Sequence, residues 1–231
     1  TEGDQQKAEI LTRQNFNSEV PYEANREKPF RFGNFTIMGE FYVETGLDTL
    51  GISDYKRILS LDSALAVVQF KKDNVAYQRS YFISYPANVM VMRFSADRAG
   101  MQNLVFSYAP NSISQGSLSG DGDKGLVFSA SLNNNGMKYV VRIQAETKGG
   151  TLSNTGCRLT VKGADEVVFY VTADTDYKMN FNPDFKDPKT YVGVDPAETT
   201  CQWINNAVMQ GYTALFQQHY SDYAALFNRV R

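Results

Sequence analysis

Histidine is almost missing from this chain, with one in 231 residues, His219. Catalysis by a Ser-His-Asp or Cys-His arrangement needs a histidine set against a nucleophile. His219 falls beside the apolar side of a predicted helix, where a partly buried structural histidine is the better reading. Cysteine is scarce too: Cys157 and Cys201 are far apart and have neither the short spacing nor the neighbouring histidines of a zinc site. They can pair in an oxidising compartment or stand as thiols. The pattern favours two buried thiols, because Cys157 adjoins a strand and Cys201 lies on the apolar side of a predicted helix. No uninterrupted apolar run approaches the roughly 20 residues that span a bilayer, and no signal-like segment opens the sequence. No basic run interleaves with aromatics, and 23 Lys and Arg stand against 25 Asp and Glu, which argues against nucleic acid as a partner. Nor does a glycine-rich loop stand between a strand and a helix, so no phosphate cradle is expected. The nearest candidate, 116–125, separates two strands and precedes no helix.

What the chain has is apolar and aromatic residues in short runs. With 42% hydrophobic residues, including 14 Tyr and 15 Phe, it can bury a substantial core without a metal or a disulfide framework. A short helix over 4–14 is expected, capped by Asp4, then a polar exposed loop over 17–28. Phe35, Ile37, Phe41 and Val43 alternate, with Gly33 and Gly39 marking bends in a strand. Strand patterns follow at 55–61, 64–70, 76–84, 89–95, 104–108, 126–132, 138–147, 158–161 and 167–172. Between them lie turn-forming joints such as Asp73-Asn74, Pro86-Ala87-Asn88 and Gly149-Gly150. Short strands with no helices between them predict a mainly β fold, an antiparallel β-sandwich.

Beyond Asp174 the strand pattern stops, and 177–194, with Pro183 and Pro188, is expected to be an extended loop of a length usually tied to function or to a packed neighbour. Asp195, Pro196 and Glu198 then form a helix start: an N-cap acceptor, a proline at the first position and a carboxylate three residues after the cap. The helix should run to about Met209 and break at Gly211. A second helix carries Phe216, Tyr220, Tyr223, Phe227 and Val230 as one apolar stripe. That stripe needs a surface, either the sandwich or another domain. Its pattern continues into Asp222–Arg231, which predicts that the chain is a fragment of a longer protein.

Candidate chemistry is thin. Asp121, Gly122 and Asp123 are rich in oxygen, but the twelve-residue calcium loop is absent and a solvated turn is preferred. Asp174 and Asp176 stand two apart at a strand end, where aspartate is more often a turn residue than half of a catalytic carboxylate pair. Trp203 sits near Ile204 and Ala207 on a predicted helix, which favours burial over ligand contact. No catalytic, cofactor-binding or metal residue is assigned.

Four stretches in order, PFRFGNFTIMGEFYVE (29–44), YKRILSLDSALAVVQFKKDNVAYQRSYFISYPANVMVMRFSAD (55–97), GADEVVFYVTADTDYK (163–178) and HYSDYAALFNRVR (219–231), resemble the N-terminal β-sandwich region of glycoside hydrolase family 95, the α-L-fucosidases and α-L-galactosidases. The resemblance implies a super-sandwich, a helical linker and then an (α/α)6 barrel that hydrolyses fucosyl linkages with inversion. It assigns the acid and the water-activating residues to that barrel, and no cofactor. It implies domains at 1–28 (lead-in helix and loop), 29–194 (sandwich) and 195–231 (helical linker toward a missing catalytic domain), with the family's first strands lying ahead of this sequence. Asp176, Tyr177 and Lys178 match a segment leading into a loop that approaches the barrel, which makes them candidate sugar-facing residues against the preferred reading of a structural loop. A periplasmic or extracellular location is implied in the same way. The leading expectation is a non-catalytic sandwich domain of a fucosidase-like hydrolase. A stand-alone carbohydrate-binding module, with a sugar as partner, is the alternative, and an adhesive domain with a protein partner is a third reading.

Overall fold

The computed structural model describes residues 4–15, 36–133, 135–184, 186–187 and 189–230. The chain divides into two units, 1–35 and 36–231. In the first, the expected helix is α1 (Gln5–Asn15), and Asp4 Oδ1 accepts from Lys7 N at 3.1 Å, the side-chain capping that a helix N-terminus requires. The expected loop over 17–28, together with Gly33 and Phe35, lies outside the described residues.

The second unit is mainly β. Its strands are β1 (Gly39–Glu44), β2 (Ser53–Ser60), β3 (Leu65–Lys72), β4 (Val75–Ser84), β5 (Val89–Ala96), β6 (Gln102–Pro110), β7 (Ser114–Asp121), β8 (Gly125–Leu132), β9 (Lys138–Lys148), β10 (Thr151–Thr155), β11 (Arg158–Ala164) and β12 (Glu166–Thr175), followed by the helix α2 (Pro196–Phe227). They form a four-stranded sheet, β1-β6-β11-β10, and an eight-stranded sheet, β2-β3-β4-β5-β12-β9-β8-β7, with antiparallel pairing throughout. The inner faces enclose the main core, in which Phe106 and Phe169 stack with ring centroids 4.6 Å apart.

β12 shows why its run VVFYV has no polar alternation. Val167, Phe169 and Val171 face the inter-sheet core, while Val168 and Tyr170 face a second cluster under α2 with Phe82, Val91, Ile204, Ala207 and Leu215. A strand buried on both faces can be apolar at every position. Tyr170 meets the polar cost of that burial by donating its hydroxyl to Glu146 Oε2 at 2.8 Å. Burial holds its phenol pKa well above the ordinary range, and the Glu146 carboxylate adds to the shift.

Two strands were illegible in the sequence. The stretch 116–125, read as a connection, is largely β7, the edge strand beside β8. Its composition is serine and glycine because one side must admit its neighbour: a Cβ at Gly116 would sit 2.3 Å from Ser129 O. The Asp121 carboxylate accepts from Arg142 Nη1 at 3.0 Å. β10, TLSNT, is likewise an edge strand with an alternating exposed side. The expectation of two buried thiols is also corrected, since both cysteines are free and half-buried. Cys157 occupies the second position of the two-residue turn joining β10 and β11, where Gly156 and Cys157 both have φ 59. That mirror-image turn matches strand twist, and the side chain packs at the margin of the inter-sheet core with its Sγ donating to Leu118 O at 3.4 Å.

α2 begins as expected. Asp195 is the N-cap and its carboxylate accepts from Ala197 N at 3.0 Å. That bond and Lys138, 3.3 Å away, hold the Asp195 carboxyl below its ordinary value of 3.8. The folded pKa is the lower one, so the stabilisation is fully present above the unfolded value of 3.8 and is lost as pH falls from there through the folded pKa. Urea unfolding across this acid range should show a larger loss in the native protein than in Asp195→Asn, which keeps an acceptor but does not titrate. Equal acid sensitivity of the two would remove the cap from the account.

Candidate functional site

The expected loop at 177–194 is ordered by its own hydrogen bonds. Asp176 extends the β9–β12 ladder by one residue: its N–H donates to Lys138 O, and its Oδ1 accepts from Lys138 N, both at 3.0 Å. It is 7% exposed. Tyr177 and Val192 then form an antiparallel bridge, with Lys178 N donating to Tyr191 O at 2.7 Å. Gly193 permits this approach, since a Cβ there would lie 3.0 Å from Lys178 Cβ. Beyond the bridge, Asn180 Nδ2 donates to Thr190 O at 3.1 Å, and Thr190 Oγ1 accepts from Asp184 N at 2.9 Å. Aspartate side chains turn the backbone again at Lys186 and Lys189, the local bonding that lets Asp replace a backbone acceptor.

Around this hydrogen-bonded frame the loop shows apolar side chains to solvent beside its charged ones: Phe181 is 94% exposed and Val194 83%, with Tyr177, Met179 and Val192 about half exposed. Large apolar groups held out on an ordered loop mark a contact surface. Of the three residues singled out in the sequence, Asp176 is committed to Lys138, Tyr177 stacks on Tyr191 at 5.9 Å, and Lys178 is exposed. The exposed apolar groups Met179, Phe181 and Val194 were missed, because which side of the loop meets solvent is set only once its two arms are bridged. Asp174 Oδ1 accepts from the next residue's N–H, so the two aspartates are separately engaged.

The single histidine is structural. His219 Nε2 lies 3.1 Å from Ser63 O and 3.3 Å from Ala64 O. Both are acceptors, so this nitrogen carries the proton. The ring also stacks on Phe82, with centroids 5.0 Å apart. With Tyr223, whose hydroxyl donates to Leu61 O at 2.6 Å, it ties α2 to the β2–β3 turn. An open cleft of about 650 Å³ lies on the same outer face, lined in part by Lys56, Gln69, Gln78, Arg93 and Ser95. No exposed aromatic lines it, since Phe70 and Tyr77 there are buried. Arg93 pairs with Glu166 and lies 4.8 Å above the Tyr212 ring of α2. Among the described residues no group of three acidic, histidine or cysteine side chains could hold a metal ion, and no helix is long and apolar enough to cross a membrane.

The family profile described as Glycosyl hydrolase family 65, N-terminal domain, matches residues 1–180. The chain is 29% identical over 213 residues to the probable alpha-fucosidase A of Aspergillus niger, covering 88% of this chain and 26% of that protein. It is 26% identical over 209 residues to alpha-L-fucosidase 2 of Arabidopsis thaliana, covering 77% of this chain and 23% of that protein. The chain thus spans about a quarter of the length of these relatives. A solved structure titled as a putative kojibiose phosphorylase from human microbiome shares the fold, with a TM-score of 0.53 at 12% identity over 80% of this chain and 27% of that one.

Proposed function

We propose a role that follows from family membership: the chain belongs to the glycosyl hydrolase family 65 N-terminal domain family, and it serves as the non-catalytic sandwich of an α-L-fucosidase-like hydrolase of the family 95 type. It packs on an (α/α)6 catalytic barrel supplied by a longer polypeptide. The observation that carries the fucosidase assignment is the pair of relatives, both named as fucosidases and each about four times as long as the match. The packing role is supported by the ordered loop at 177–194 with its outward Phe181, Met179 and Val194. In this reading Tyr177 and Lys178, exposed at the base of that loop, shape the rim of a sugar pocket. Action in the periplasm or outside the cell belongs to the same proposal.

Inverting hydrolysis requires an acid and a separately placed base on opposite faces of the sugar, and this reading puts both on the barrel. Residues 1–231 should release no fucose from an aryl α-L-fucoside above a no-protein control, while the product of the full reading frame should release it. Release by residues 1–231 would overturn the non-catalytic role. A full-length product that instead cleaves an α-glucoside with phosphate would move the assignment from the fucosidases to the phosphorylases. The carbohydrate-binding-module alternative needs coplanar exposed rings on one sheet face. Among the described residues the exposed rings are Tyr42 on β1, Tyr55 on β2, Tyr85 in a turn, Tyr177 and Phe181 in the loop and Tyr220 on α2, so none of them forms such a row.

A further inference from the structure

The inter-sheet core has one polar corner, to which both sheets contribute. Gln102 opens β6 and lies on the same face as Leu104 and Phe106, which belong to that core. From the larger sheet, Arg79 of β4 stands opposite Phe94 of β5 in register. Phe94 belongs to the same core, so Arg79 shares the inter-sheet side. Gln102, Arg79, Phe94 and Thr45, the last just past β1, line one cavity of about 10 Å³. That is room for a single occupant of about the size of a water molecule.

Two donor groups meet in this corner, and neither has the acceptor its chemistry requires. Gln102 is 4% exposed, and its Nε2 has no hydrogen-bond partner among the described residues. An amide donor taken out of water without a partner is destabilising, and native proteins keep few of them. The Arg79 guanidinium is half-buried and lies over the rings of Phe70 and Phe94, 5.1 and 5.8 Å from their centroids. Ring faces attract the cation but carry no counter-charge. Among the described residues Arg79 makes no ion pair, and no carboxylate lines the cavity. The Tyr81 hydroxyl beside it stays neutral, because burial raises its pKa. A guanidinium has N–H donors and no acceptor. Both groups therefore need an acceptor, and the charge of Arg79 favours a negative one.

We infer that this cavity binds one monatomic anion of the halide class, held between the Gln102 amide of the smaller sheet and the Arg79 guanidinium of the larger, so that the ion ties the two sheets at this corner. A water molecule would accept from Gln102 but leave the guanidinium charge unbalanced, and a phosphate or sulfate exceeds the space. Crystals of residues 1–231 grown in sodium bromide should show an anomalous-scattering peak beside Gln102 Nε2 and Arg79. In solution, sodium bromide should replace sodium gluconate at constant ionic strength, with melting followed in the native chain and in Gln102→Met, which keeps the bulk and removes the donor. The melting temperature of the native chain should rise relative to that of the variant by about 3–5 °C for each tenfold increase of bromide above its Kd. Arg79→Gln should lose the same response. Ordered water, or a carboxylate of the chain itself, in place of the anomalous peak would overturn the inference. So would an equal bromide response in the native chain and both variants. A peak without that difference in melting would mark an adventitious ion only, and would overturn it as well.

Discussion

Phe169→Ala should lower the free energy of unfolding by about 3–5 kcal/mol, the range for deleting a buried aromatic ring. Phe169 has no exposed surface and sits on β12, which is paired on both sides along the strand, to β5 and to β9. Its ring stacks on Phe106 of the facing sheet at 4.6 Å and meets Phe94 edge-on at 5.9 Å. Ladders on both sides stop the backbone from closing the hole, so both the lost transfer energy and the cavity count. At roughly 2–4 °C per kcal/mol for a domain of this size, the melting temperature should fall by about 10 °C. Urea unfolding should show a lower midpoint at unchanged slope, and Phe169→Leu should lose less. A loss below about 1 kcal/mol would mean that the two sheets are not held by this contact.

Leu215→Ala should act differently because of where it lies. α2 is broken at Gly211, whose φ of 71 and ψ of 171 are not helical. Only glycine takes such an angle without strain. The helix beyond the break is therefore a separate piece held by its face: Leu215 is fully buried, and Tyr212 and Phe216 pack edge-on to Phe82. Removing Leu215 deletes a contact of about 2–5 kcal/mol. That should appear first as local opening, with amides in 212–227 exchanging about 30-fold faster or more, while strand amides change less. Met209→Ala, at a side chain 79% exposed, should change stability by no more than about 0.5 kcal/mol. Uniform acceleration across the domain would show that helix and sheet unfold together.

The same helix shows how far sequence reasoning reached. Cap, proline and break were read correctly, because each depends on one residue's own chemistry. The stripe was read with Tyr220 and Val230 on its buried side, but these are 41% and 85% exposed, whereas Leu215 and His219 are buried. The break at Gly211 resets the rotation of the second piece, and the tyrosines tolerate either setting because each has an apolar body and a polar end. For the candidate site, the length and boundaries of the loop were legible. Its outward face was not, since it follows from the Tyr177–Val192 bridge.

By itself, then, the sequence determined what is encoded locally. It determined the strand patterns at 76–84, 89–95, 138–147 and 167–172, the turn at Asp73-Asn74 and the start of α2, because period, turn geometry and capping are properties of a few adjacent residues. Tertiary structure alone decided that a serine- and glycine-rich stretch becomes β7, that Cys157 sits in a turn, that α2 covers the outer face of the larger sheet, and that Leu59 and Ile83 are exposed. Those outcomes depend on which strand lies beside which and on how many strands face them. Alternation along a strand tells which residues share a side, and only the opposing layer decides whether that side is buried.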